Sequence, residues 1–510
     1  MTAPQLTSQR MSPLVISMCE RLIATTPPDV ATAIGEVLRR LQGPLQLAVA
    51  GRIKSGKSTV VNALIGRRVS PTDIRECTRI VTRFRYGTID RVEVRKFDGT
   101  VLTLPYDQDG VIPRDLGCDP QEVAVVDAYL TYDLLRAVTI IDTPGLASLD
   151  EHSVSRTQGM LGKEAGTPPT GGVDEQSQIA VSAAEAVLYV ITQSVRADDA
   201  EALNAFRRTS SNTTSSPINA LAILNKADQI SADEPMIAAA QLASEHSYTL
   251  RHAVSQVLPL VGLVAESTMA GNFTSADAEV LRQLAGLEQS VRQMLLLSTD
   301  FFLRPEIPVD RADRERLLER LDRYGIERAI EAIIADPQIS TGDLRELLEQ
   351  ISGYPNLRKI VDGVFSVRAD DIKSAVALST LDTLATKCAP AVRDQLYDAL
   401  EELYQHPQSQ QLRLLEAATL VTSGKVELPD DMFDEVRNFV IGTDPAQMLG
   451  LPGAAPEDLI AAAFDGAGRW RSFASFGSNP AQSRVANTVH RSYFLLWQHL
   501  RSLNPGGSAA

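Results

Sequence analysis

The chain has 510 residues, more than one ordinary domain holds, and its 44% hydrophobic and 22% charged residues are the balance of a globular protein. A formal net charge of −15 speaks against nonspecific binding to nucleic acid, which needs a basic face to displace phosphate counterions. The four cysteines (Cys19, Cys77, Cys118, Cys388) form no CxxC pair, no apolar run approaches the roughly 18 residues of a membrane span, and MTAPQLTSQRMSP carries no signal pattern, so a cytoplasmic protein with at most peripheral membrane contact is expected.

In chain order, residues 12–42 read as helical. Leu14, Ile16, Leu22, Ile23, Val30, Ile34, Val37, Leu38 and Leu41 recur near helical spacing, Pro27-Pro28 breaks the pattern, and Gly43-Pro44 ends it. This segment, 1–44, is expected to join a helical neck. The period then changes. Short apolar runs at 45–50, 80–86, 92–97, 138–142, 186–192, 219–224 and 257–261 alternate with helical or loop stretches. That alternation predicts an α/β domain over 45–270 with a mainly parallel sheet. Tracts 166–172 and 209–217 read as surface loops. Residues 271–503 are helical almost throughout, and 504–510 read as a disordered tail.

The strand LQLAVA runs into GRIKSGKST, which matches the phosphate-binding pattern G-x-x-x-x-G-K-[ST]. Gly51 and Gly56 permit the tight turn. The backbone N–H groups of Ser55, Gly56 and Thr59, with the start of the next helix, then face an anion. Lys57 should reach the β- and γ-phosphates and Ser58 should ligate Mg2+. Asp142-Thr143-Pro144-Gly145 follows the strand VTII; Asp142 can hold the metal through water, and the Gly145 N–H can sense the γ-phosphate. Asn225-Lys226-Ala227-Asp228 follows the strand LAIL. A carboxylate at Asp228 accepts from guanine N1–H and the 2-amino group, donors that adenine lacks, so GTP is the expected substrate. Thr78, between the first two motifs, fits the switch threonine that completes metal coordination. A base-contacting loop is expected near Val261-Gly262-Leu263, from order alone.

Where Ras-like GTPases carry a water-orienting glutamine after DxxG, this chain has Leu146. Catalysis must then use other groups, such as the Thr78 backbone or another subunit. Lys54, inside the phosphate loop, is a candidate catalytic cation supplied in cis.

The stretches LQLAVAGRIKSGKSTVVNALIG, PTDIRECTRIVTRFRYG and IIDTPGLASL resemble the bacterial dynamin-like GTPases, and SGYPNLRKIVDGVFSVRADDIKSAVALSTL and LGLPGAAPEDLIAAAFDGAGRWRSF extend the likeness into the helical half. The resemblance implies a GTPase head, a neck built from the N-terminal and the returning helices, and a helical trunk. It also implies heads that self-associate across the nucleotide, a peripheral anionic membrane at the inner face of the plasma membrane, and a second dynamin-like protein as a possible partner. Ile53-Lys54 replaces the Gln-Ser of eukaryotic dynamins, whereas guanylate-binding proteins carry an arginine finger at the Lys54 position. Two segments are candidates for lipid contact: the apolar loop 448–455 and the arginine-rich stretch from Arg304 to Arg328, whose interleaved acids favour a salt-bridged helix. Two alternatives stand beside membrane remodelling: an assembly-factor GTPase without membrane activity, and a poorly hydrolysing scaffold for a second dynamin-like protein.

Overall fold

The computed structural model describes residues 11–52, 54–70, 80–143, 184–193, 219–231, 234–366, 369–406, 409–442, 444–476 and 478–503. Thr78, Gly145, Leu146, the loops 166–172 and 209–217 and the tail 504–510 lie outside these residues.

Among the described residues nine strands form one sheet: β1 (Leu45–Gly51), β2 (Thr82–Tyr86), β3 (Arg91–Lys96), β4 (Val101–Leu104), β5 (Val123–Leu130), β6 (Val138–Asp142), β7 (Ala186–Ile191), β8 (Ala220–Asn225) and β9 (Val257–Leu260). Their order is β4-β3-β5-β2-β6-β1-β7-β8-β9. The run from β6 through β9 is parallel, with Val49 opposite Asp142 and Gly51 opposite Val190. β2 pairs antiparallel with β6 and parallel with β5, and β3 and β4 continue the sheet antiparallel. Strands β4 and β5 were not expected. In β5 the apolar alternation is interrupted by Asp127, which is fully buried and held bidentately by Arg83 at 2.7 and 2.8 Å and by Arg95 at 2.7 Å.

The central strands are apolar on both faces because both are covered. Ala48 and Ala50 face one side with Tyr189, Ala222 and Leu224. Leu47 and Val49 face the other with Leu188, Val190 and Ile223. The first face is packed by helices Pro235–Thr249, Gly262–Met269, Ser275–Ala285, Arg311–Ala335 and Thr341–Ile351. The second takes helix Lys57–Ile65, then Tyr354, Leu357 and Val361, and Ile372 and Val376 of helix Ala369–Lys387. The expected boundary at residue 270 therefore falls inside a continuous core. Helices beyond it carry an apolar stripe that is buried on the sheet.

The helical remainder forms two further cores. Helices Ser12–Thr25 and Pro28–Gln42 pack on helices Ala369–Lys387 and Pro390–Gln405, burying Val15, Ile34, Leu41, Leu381 and Leu396 together. The main-chain N–H of Ser12 donates to Asp370 Oδ2 at 3.1 Å, and its hydroxyl bonds the same carboxylate. Helices Gln410–Thr422, Asp430–Ile441, Pro456–Phe476 and Pro480–Leu503 enclose Trp470, whose Nε1–H donates to Glu435 at 2.8 Å. A Cβ at Gly466 would sit 2.4 Å from Tyr493, so a glycine is needed where the last two helices cross. The arginine-rich stretch is occupied with structure. Arg314 is buried and donates to the carbonyls of Phe302 and Pro305, while Arg316 and Arg320 grip Asp277.

A candidate nucleotide site at the carboxyl edge of the sheet

Five parallel strands end on one edge, and ligands of open α/β sheets bind outside such ends. β1 delivers Gly51, whose φ of +147° suits glycine and whose Cβ would lie 2.3 Å from the Val190 carbonyl. Gly56 has φ +90°, and a Cβ there would meet Asn225 Nδ2 at 2.2 Å. Between them Lys54, at φ +66°, exposes its side chain on the outer turn of the loop. Helix Lys57–Ile65 starts immediately afterwards, with Ser58 and Thr59 in its first turn.

Lys57 is buried, and its ammonium donates to the carbonyls of Gly51 at 3.1 Å and Arg52 at 2.9 Å. Burial lowers its pKa and the Asp142 carboxylate raises it again. The Ser55 hydroxyl is buried without a hydrogen-bond partner among the described residues. Ser58 Oγ donates to Asp142 Oδ2 at 3.1 Å, so the structure joins the phosphate loop directly to the strand end that opens the DTPG motif. Burial pushes the Asp142 carboxyl above the usual range; Lys57, Ser70 and Ser58 oppose the rise. Thr143 is pinned by its hydroxyl to Val49 O at 2.9 Å.

Asn225 stands at the end of β8 as a brace. Its Nδ2 donates to Ser55 O at 2.8 Å, and its Oδ1 accepts from Gly262 N–H at 3.0 Å. It thus ties the phosphate loop to the start of helix Gly262–Met269, where order alone had suggested a base-contacting loop near Val261-Gly262-Leu263. Lys226 takes the left-handed conformation, φ +59°, and turns the chain into the short helix that carries Asp228. Asp228 is half-buried. Burial raises its pKa; its own backbone N–H lowers it, the Asp322 carboxylate raises it, and Lys226 and Arg323 lower it.

Three residues of the site were not legible beforehand. Asn62, Ser70 and Glu266 form a buried polar chain beside Asp142. An asparagine inside the apolar run VVNALI was the one available signal.

A protein-family model described as the dynamin family matches residues 47–227. A bacterial dynamin-like protein of Nostoc punctiforme is 34% identical over 119 residues, 21% of this chain and 17% of that protein. The chain belongs to the bacterial dynamin-like GTPase family. Isoniazid-induced protein IniC of Mycobacterium tuberculosis (strain H37Rv) is 31% identical over 478 residues, covering 91% of this chain and 92% of IniC, so the kinship spans the helical half as well as the head. A solved structure of an oligomerised bacterial dynamin pair covers 98% of this chain and 91% of its own at 13% identity, with a TM-score of 0.33.

Proposed function

We propose that this chain binds GTP with Mg2+ at the carboxyl edge of the sheet, hydrolyses it, and couples the cycle to self-association and membrane remodelling. The observation that carries the reading is the cradle from Gly51 to Ser58. Two positive-φ glycines open it, a buried Ser55 hydroxyl lacks a partner among the described residues, and the Lys57 ammonium rests on two carbonyls that phosphate oxygens can replace. The start of helix Lys57–Ile65 adds its N–H groups and dipole to the attraction for an anion.

Ser58 Oγ and Asp142 Oδ2, 3.1 Å apart, are hard oxygen donors beside the cradle, the type Mg2+ prefers. The donors fit the ion: Ser58 would hold it directly, Asp142 through water, and Thr78 would complete the set. Bound there, Mg2+ would supply charge neutralisation for the phosphates. The chain supplies the rest. Lys57 orients the γ-phosphate, the Gly145 N–H senses it, Asp228 accepts from the guanine edge, and Asn225 and Lys226 shape that pocket. Lys54, on the outer turn, serves as a cis cation for the charge that develops as the phosphate leaves. With Leu146 in place of glutamine, water is positioned by main-chain groups such as that of Thr78.

Among the described residues no helix is long and apolar enough to cross a membrane. Membership of the bacterial dynamin-like family supports placing the protein in the cytoplasm, peripheral at the inner face of the plasma membrane, self-associating through its heads and working with a second dynamin-like protein. The test is nucleotide binding and phosphate release with purified protein, with and without anionic liposomes. Binding of GTP over ATP, with lipid-stimulated release, supports the reading. Equal affinity for ATP overturns the guanine assignment, and absence of lipid binding overturns the membrane role. Lys54→Ala should slow turnover far more than it weakens binding; unchanged turnover removes Lys54 from the mechanism.

A further inference from the structure

We infer that Ser70 is a positioning residue that sets the orientation of the metal-site carboxylate Asp142, held there by a buried clamp of Asn62 and Glu266. This rests on the nucleotide–magnesium reading above. Ser70 Oγ donates to Asp142 Oδ2 at 2.9 Å, alongside Ser58 at 3.1 Å. Two hydroxyls on one carboxylate oxygen fix the plane of the group. Ser58 is assigned to the metal. Ser70 belongs to none of the nucleotide motifs, yet it is 5% exposed and aimed at the same atom.

What holds Ser70 is more specific than packing. Asn62, fully buried on the helix after the phosphate loop, accepts at Oδ1 from the N–H groups of Val69 at 3.0 Å and Ser70 at 2.8 Å. Its Nδ2 donates to Ser70 O at 3.1 Å and to Glu266 Oε1 at 2.7 Å. Both acceptor and both donor positions of the amide are thereby used. Flipping it would set its NH2 against two N–H donors, so only one orientation is satisfied. Ser70 is gripped at both its N–H and its C=O, which leaves its hydroxyl with a fixed aim. Glu266 sits on helix Gly262–Met269, whose first N–H is bound by Asn225. The clamp thus links the metal-site carboxylate to helix Gly262–Met269 through three buried side chains, Ser70, Asn62 and Glu266. Asn62→Ala is expected to weaken stability as well as aim, so the cleaner probe is Ser70.

The experiment is a Mg2+ titration of fluorescent GTP-analogue binding to the full chain, read as the Mg2+ concentration at half-maximal affinity gain. Ser70→Ala should raise that concentration about tenfold, the scale of a lost hydrogen bond to a charged group. Binding in EDTA and the melting temperature should stay close to those of the parent. Ser70→Thr keeps a hydroxyl and should restore the parental midpoint. Ser70→Cys, close in size with a weak donor, should fall between and replaces the alanine variant if that fails to fold. An unshifted midpoint in a folded variant overturns the proposal. So does equal weakening with and without Mg2+, which marks general loop collapse. If the unmodified chain binds no nucleotide, the site reading fails first and this proposal with it.

Discussion

At the scale of residues, the site concentrates charge where water is scarce. Lys57→Ala removes the buried ammonium proposed to meet phosphate and should weaken GTP binding by about 2–5 kcal/mol, measurable by calorimetry. Asp228→Asn should shift preference from GTP to xanthosine triphosphate, because an amide presents a donor where a carboxylate accepted; retained GTP preference would contradict the role. Asp228 must be ionised to accept from guanine. Burial raises its pKa and Asp322 adds to the rise, so GTP affinity should fall on acidification earlier than for an ordinary carboxylate near 3.9. Asp322→Asn removes the repelling charge and should move that loss to lower pH in a binding-versus-pH series. The placement of these residues was legible in advance: Gly51, Gly56 and Lys57 stand in the loop and first helical turn after β1, and Asp142 and Asn225 end β6 and β8. The Asn62–Ser70–Glu266 chain was not. Glu266 lies 204 residues from Asn62, and a buried asparagine has the same letter as a surface one.

Among the elements, helix Arg311–Ala335 is the most informative. It breaks at Asp322, φ +51° and ψ −178°, a conformation that costs a non-glycine residue about 1–3 kcal/mol. The break is held from both sides: Ser267 Oγ donates to Arg320 O at 2.5 Å, and Arg323 donates to the carbonyls of Leu296 and Leu297 at 3.2 and 2.8 Å. One turn earlier, Arg316 and Arg320 bond Asp277 at 3.0 and 2.6 Å. Burial pushes the Asp277 carboxyl up, but Thr274, Arg316 and Arg320 together hold it below the usual range. A depressed folded pKa means its contribution is complete above about pH 4 and is lost as pH falls through the folded value. Asp277→Ala should therefore cost about 2–3 kcal/mol near neutrality, with a difference that shrinks below pH 4 in denaturant melts. Sequence periodicity identified this helix and its interleaved charges. It did not reveal that the apolar stripe lies on the sheet, because a helical period states that a face is buried and not against what.

For the whole molecule, the joint between head and helices combines the apolar packing of Ile372 and Val376 on the sheet with a few polar bonds. The Lys373 ammonium donates to the carbonyls of Leu41 and Gly43, both at 2.8 Å, while the buried Glu185 accepts from the Gln46 N–H at 2.8 Å. The far end of β1, the strand between, is the phosphate loop. Lys373→Met should leave nucleotide affinity within about twofold of the parent yet abolish any nucleotide-dependent change in molecular radius seen by small-angle scattering; a retained change would place the coupling elsewhere. The same clasp sets a condition on biosynthesis. Helices Ser12–Thr25 and Pro28–Gln42 leave the ribosome well before the residues that cover their apolar faces, from Ala377 to Leu412, which follow roughly 350 residues later. At about 5–20 residues per second that is an interval of roughly 18–70 s. During that time a ready-made amphipathic hairpin waits for its partner, an opportunity for a chaperone to hold it or for two nascent chains to meet.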